Sequence, residues 1–120
     1  MKLKILSPIF IATAIAVVLC SPASPAQDAP RRIEITAKRF DFTPSEITLK
    51  KGEPVIIALT SADVNHGVKV KELNLSIKAN KGQTIEVPFT PLQVGTFVGQ
   101  CSVFCGSGHG RMKMTFHVTE

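Results

Sequence analysis

The chain has 120 residues, 44% hydrophobic and 19% charged. That composition fits one folded domain and excludes a disordered or membrane-filling chain. The formal charge is +5, and the aromatic residues are seven Phe with no Trp or Tyr. Lys and Arg are scattered rather than clustered with aromatics, so nucleic-acid binding is not indicated, and anionic surfaces attract the chain only weakly.

The N-terminus reads as an export leader. Lys2 and Lys4 start it, Ile5 to Cys20 is apolar apart from Ser7 and Thr13, and Ser21 to Ala26 supplies small residues for cleavage after Ala23 or Ala26. The apolar run is short for a spanning helix and is interrupted by Pro8. Three fates stay open: cleavage, retention as a membrane anchor, or lipidation at Cys20, where Leu19 does not fit the usual small residue. In each case the folded part lies outside the cytoplasm, in a bacterial periplasm or at the outer face of the cytoplasmic membrane. The expected organisation is a leader over 1–26, a polar linker over 27–32 and one domain over 33–120.

Beyond the linker the hydrophobic pattern has period two and shows no sustained helical stripe. Ile33 and Ile35 alternate with Glu34 and Thr36. Phe40 and Phe42 flank Asp41, Pro44 makes a corner, and Ile47 and Leu49 alternate with Thr48 and Lys50. After the Lys51-Gly52-Glu53 turn, Val55 to Leu59 is the most apolar run and suits a central strand. Ser61 to Asn65 is a loop leading to His66. Val68, Val70, Leu73, Leu75 and Ile77 continue at period two, and Asn80-Lys81-Gly82 is a turn signal. Ile85, Val87 and Phe89 predict a half-buried strand, Val94 to Cys101 another, and Met112 to Val118 the last. Seven or eight short strands with frequent turns predict an all-β sandwich.

The chemistry concentrates near the C-terminus, in Cys101-Ser102-Val103-Phe104-Cys105-Gly106-Ser107-Gly108-His109-Gly110-Arg111-Met112. Two thiols, an imidazole and a thioether fall at Cys-x3-Cys-x3-His-x2-Met, with no Asp or Glu among them. Thiolate and thioether favour Cu(I), and imidazole suits copper in either oxidation state. A copper-binding loop is expected, with His66 joining it if the two loops share one end of the sandwich. The plainer reading of Cys101 and Cys105 in an exported chain is a disulfide, but so short a closed loop makes a weak staple. A zinc site with two Cys and two His fits by count but leaves Met112 without a role. A single blue-copper site uses one Cys, and the second thiol is what it lacks. Met114 is expected in the core, His117 on the polar face, Arg111 and Lys113 solvated, and Phe104 and its neighbours in an apolar wall beside the sulfurs.

Asp63-Val64-Asn65-His66 followed by that loop resembles the cupredoxin family, and within it the binuclear copper (CuA) domain of cytochrome c oxidase subunit II. Phe40 to Pro44 and the strand-turn from Ile47 to Gly52 are also similar to cupredoxin openings. The resemblance covers Ile33 to Glu120 and implies a Greek-key β-sandwich holding two copper ions. It further implies that Cys101 and Cys105 bridge both ions, that His66 and Met112 complete one, and that His109 and the Val103 carbonyl complete the other. Oxidase families often carry Glu at position 103, so docking through that side chain is not expected here. The implied role is one-electron transfer with no catalysis by the chain alone. The implied partners are an electron donor such as a cytochrome c or another cupredoxin, a terminal oxidase subunit as acceptor, and a copper chaperone for loading. A periplasmic copper storage or delivery protein, or a mononuclear cupredoxin, is the alternative.

Overall fold

The structure is a computed structural model that describes residues 19–22 and 29–120. Most of the expected leader and linker, including both cleavage positions, lies outside the described residues. Among those described, no helix is long and apolar enough to cross a membrane.

Nine strands follow one another: β1 (Arg31–Lys38), β2 (Asp41–Thr43), β3 (Glu46–Lys50), β4 (Val55–Ser61), β5 (His66–Val70), β6 (Leu75–Ala79), β7 (Thr84–Phe89), β8 (Gly95–Gln100) and β9 (Lys113–Thr119). They form a four-stranded sheet in the order β2-β1-β4-β7 and a five-stranded sheet in the order β3-β9-β8-β5-β6. The β1–β4 and β3–β9 pairs are parallel. This is the all-β sandwich that the alternation predicts, with nine strands rather than seven or eight. The short strand β2 accounts for the difference. Its three residues cannot show a periodicity of their own, yet they pair with Thr36 to Lys38 of β1.

Period-two alternation builds the core. Ile33, Ile35 and Ala37 of β1 face inward, as do Ile47 and Leu49 of β3 and Met114, Phe116 and Val118 of β9. Register stacks apolar partners on the same face, with Ile33 opposite Ile57, Ile47 opposite Phe116, and Leu49 opposite Val118. Burying each such side chain contributes about 1.5–3 kcal/mol. Strand β4 lies between β1 and β7, as its apolar run predicts. The alternation breaks at Leu73, expected on a strand, because Lys71–Leu73 forms a 3-10 turn closed by Asn74 in the left-handed region (φ 52°).

Three connections meet at one end of the sandwich. The β4–β5 loop is tied to the end of β1 by a bond from Ala62 N–H to the Ala37 carbonyl at 2.9 Å. The β8–β9 loop is tied to β5 by Ser102 N–H to the Gly67 carbonyl at 3.2 Å, and is closed on itself by Cys101 N–H to the Met112 carbonyl at 3.0 Å. The β1–β2 turn at Arg39 and Phe40 packs between them.

Candidate metal centre

His66 opens β5 and is fully buried, although an isolated His usually sits at a surface. Cys101 lies just past the end of β8, and Met112 just before β9. The intervening residues double back through His109 N–H to the Gly106 carbonyl (3.1 Å) and Met112 N–H to the His109 carbonyl (3.2 Å). Cys105 and His109 are thereby carried inward over the end of the sandwich.

The donor atoms converge. Cys101 Sγ and Cys105 Sγ are 3.7 Å apart. A disulfide requires about 2.05 Å, so both thiols are free. His66 Nδ1 is 3.9 Å from Cys101 Sγ, and the three donors of His66, Cys101 and Cys105 all lie within 4.8 Å of one another. His109 Nδ1 and Met112 Sδ each approach Cys105 Sγ at 3.7 Å. The Val103 carbonyl accepts from the Cys101 thiol at 3.1 Å. All six residues named from the sequence therefore meet at one place.

Electrostatics keep the Cys105 thiol protonated in the metal-free protein. Burial pushes the Cys105 thiol up to about 11, and its hydrogen bond with Cys101 adds to the shift. A cation that binds there must displace protons.

Two features that sequence pattern alone does not reveal hold the site in place. The first is Asp63. Its Oδ1 lies 2.7 Å from His66 Nε2 and also accepts from Val64 N–H at 2.8 Å, while its Oδ2 accepts from Arg39 N–H at 2.9 Å. Loss of hydration pushes this carboxyl upward, but the hydrogen bonds from Arg39, His66 and Val64 outweigh it and hold the group down at about 2. With Nε2 donating to Asp63, the imidazole turns its Nδ1 lone pair toward the sulfurs, which is how outer carboxylates fix metal-ligating His. The only sequence signal for Asp63 was its place three residues before His66.

The second feature is the β1–β2 turn. Arg39 Nε donates to the Cys105 carbonyl at 2.8 Å. Phe40 lies flat against the loop, where a Cβ on Gly108 would fall 2.4 Å from its ring and one on Gly106 3.1 Å. Gly106 also has φ 135°, a conformation that side chains rarely tolerate. Phe40 thus adds an apolar ring packed on the glycines of this loop. Phe104 is 78% exposed and lies against His109 at a ring-centroid distance of 5.6 Å.

The expectations for four nearby residues hold. Met114 is buried in the core. Arg111 and Lys113 are exposed. The partly exposed His117 lies 3.6 Å from Glu46.

Comparison with known proteins places this geometry. A family model for the cupredoxin-like domain matches residues 9–115. Two cytochrome c oxidase subunit 2 sequences from Thermus thermophilus are each 30% identical over 88 residues, 73% of this chain. The match spans 65% of one and 52% of the other, so the chain corresponds to about two thirds or less of those relatives. Among solved structures, the periplasmic domain of oxidase subunit II (CoxB) of Bradyrhizobium japonicum superposes with a TM-score of 0.69 at 23% identity, covering 78% of this chain and 87% of that one. A chain of a heme-copper terminal oxidase dimer gives 0.66 at 27% identity, covering 82% and 76%. The chain belongs to the cupredoxin-like domain family.

Proposed function

We propose that this chain is an exported copper protein that carries single electrons, and that His66, Cys101, Cys105, His109, Met112 and the Val103 carbonyl hold two copper ions in a CuA-type centre. The donor set fits: two thiols, two imidazoles, a thioether and a carbonyl, with no hard carboxylate ligand. The spacing fits as well. The two thiols stand 3.7 Å apart, close enough for both to hold the same ion.

One observation carries the binuclear reading. The implied partners of one ion, His66 and Met112, approach different sulfurs, at 3.9 Å to Cys101 and 3.7 Å to Cys105. The implied partners of the other, the Val103 carbonyl and His109, divide in the same way, at 3.1 Å to Cys101 and 3.7 Å to Cys105. Each set spans both thiols, as two bridging thiolates require. A mononuclear blue-copper site would gather its donors around a single sulfur.

When bound, a thiolate-bridged copper pair supplies a one-electron store shared between two metals. The chain's own residues do the rest. Asp63 fixes the His66 ring, Arg39 and Phe40 fix the Cys105 segment, and the sandwich keeps both loops from shifting between redox states. The six donors leave no protein position for a substrate, which supports carriage of electrons rather than catalysis. The oxidase relatives support a terminal oxidase as acceptor, a cytochrome c or another cupredoxin as donor, and an extracytoplasmic location.

Copper titration of the purified, reduced protein tests this reading. Uptake should stop at two ions per chain with both thiols protected from alkylation. Saturation at one ion supports a mononuclear cupredoxin. Copper retained only as Cu(I) and passed readily to a chelator supports storage or delivery.

A further inference from the structure

The outer face of the five-stranded sheet carries a feature the copper site does not use. Lys113 of β9 sits opposite Gln100 of β8, and Gln100 opposite Lys69 of β5. Lys78 of β6, opposite Gly67, lies diagonally beside Lys69 on the same exposed face. Paired residues on neighbouring strands project to the same side and lie about 4.8 Å apart per strand, so three ammonium groups share one small area. Among the described residues none of the three forms a salt bridge. Lys69 and Lys78 are diagonal neighbours, and Lys113 lies two strands from Lys69 across Gln100. The four-stranded sheet differs, since Arg32 there is paired with both Glu34 and Glu86.

This patch adjoins the candidate centre. Gln100 precedes Cys101 and Lys113 follows Met112. A cleft of about 380 Å³ opens beside Lys69, with Val98 and Gln100 on its wall and Cys101 in its lining. Lys71 and Glu72, side by side at its rim, offset each other. Val98, 48% exposed and two residues before Gln100 on β8, adds an apolar contact beside the lysines, and apolar contact next to charge is found at protein-docking surfaces.

The geometry points to this face, centred on Lys69, Lys78 and Lys113, as the docking surface for an acidic redox protein. The lysines steer an acidic partner and set its orientation, and the cleft brings that partner over Cys101. A cleft beside the lysines favours a shaped protein over a flat anionic membrane. The redox nature of the partner rests on the electron-transfer reading above. The surface itself does not.

The test is a titration of the isotope-labelled full chain, free of metal, followed by nuclear magnetic resonance. The probes are an acidic c-type cytochrome, a basic c-type cytochrome, and vesicles containing phosphatidylglycerol. Lys69→Glu/Lys113→Glu is compared with Lys50→Glu/Lys51→Glu, which makes the same change in net charge on exposed residues at the other end of β9, whose residue Thr119 pairs with Lys50. With the acidic cytochrome, amide shifts should centre on Lys69, Lys78, Gln100 and Lys113. Affinity should fall about tenfold or more between about 20 and about 200 mM salt, and about tenfold or more in the first variant against about twofold or less in the second. Equal losses in the two variants, shifts centred elsewhere, a preference for the basic cytochrome, or binding to vesicles alone would each overturn the proposal. If copper loading fails while the acidic probe still docks here, the electron-transfer reading falls and the surface stands. If loading succeeds without docking, the reverse holds.

Discussion

The Asp63 carboxylate and the His66 imidazole meet at 2.7 Å, and that contact decides which ring nitrogen faces the two sulfurs. Because Nε2 is held by Asp63, Nδ1 is the nitrogen 3.9 Å from Cys101 Sγ. The oxygen at Oδ1 accepts from His66 and the one at Oδ2 from the backbone of Arg39, so one side chain joins the β4–β5 loop to the β1–β2 turn.

Removing that carboxylate should weaken copper binding without removing a ligand. Asp63→Ala should lower affinity about 10–100-fold, the usual cost of losing such an outer partner. Competition against a chelator of known affinity measures it. An unchanged affinity would mean the His66 ring is held by packing alone.

The same group predicts an acid dependence for the metal-free protein. The folded-state value of about 2 lies below the ordinary carboxylate value of 3.8. The stabilisation is therefore fully present above the unfolded value and is lost as pH falls through the folded one. Denaturant midpoints of the metal-free chain should drop between about pH 4 and about pH 2. In Asp63→Asn, which cannot ionise, that part of the drop should vanish.

Phe40 and Gly108 should be coupled. Gly108→Ala would set a methyl 2.4 Å from the Phe40 ring, an overpacking that costs about 1–3 kcal/mol. Phe40→Ala alone should also destabilise, by less than the about 3–5 kcal/mol of a fully buried Phe, since Phe40 is only half-buried. Together the two changes should cost clearly less than their sum, because the smaller residue makes room for the methyl. Chemical denaturation of the four proteins gives the coupling, and simple additivity would show that the ring does not press on the loop.

Either thiol alone should be insufficient for a pair of metals. Cys101→Ser and Cys105→Ser should each hold at most one copper per chain, measured by metal analysis after desalting. Two tightly held ions in either variant would rule out shared thiolates.

Much of this molecule is legible in its sequence because period-two alternation survives wherever one strand face is buried. Ile33 and Ile35, Ile47 and Leu49, and Phe116 and Val118 read directly as core. The six candidate ligands are legible because four of the side chains lie in one short segment, while His66 and the Val103 carbonyl follow from the resemblance. Other parts are not, for physical reasons. The strand β2 is too short to have a period. Leu73 keeps the parity of its neighbours but sits in a 3-10 turn, which Asn74 ends with a local backbone choice. The packing of Phe40 on Gly106 and Gly108 is a contact spanning more than sixty positions, which hydrophobicity along the chain does not encode. Phe104 is apolar and next to Cys105, yet the loop turns it out against His109.

The most direct measurement is the electron paramagnetic resonance spectrum of the copper-loaded, half-oxidised protein. The account predicts a hyperfine pattern from one unpaired electron shared equally between two copper nuclei, lost in both Cys→Ser variants. A pattern from a single copper nucleus, or a silent protein that holds only Cu(I), would contradict it.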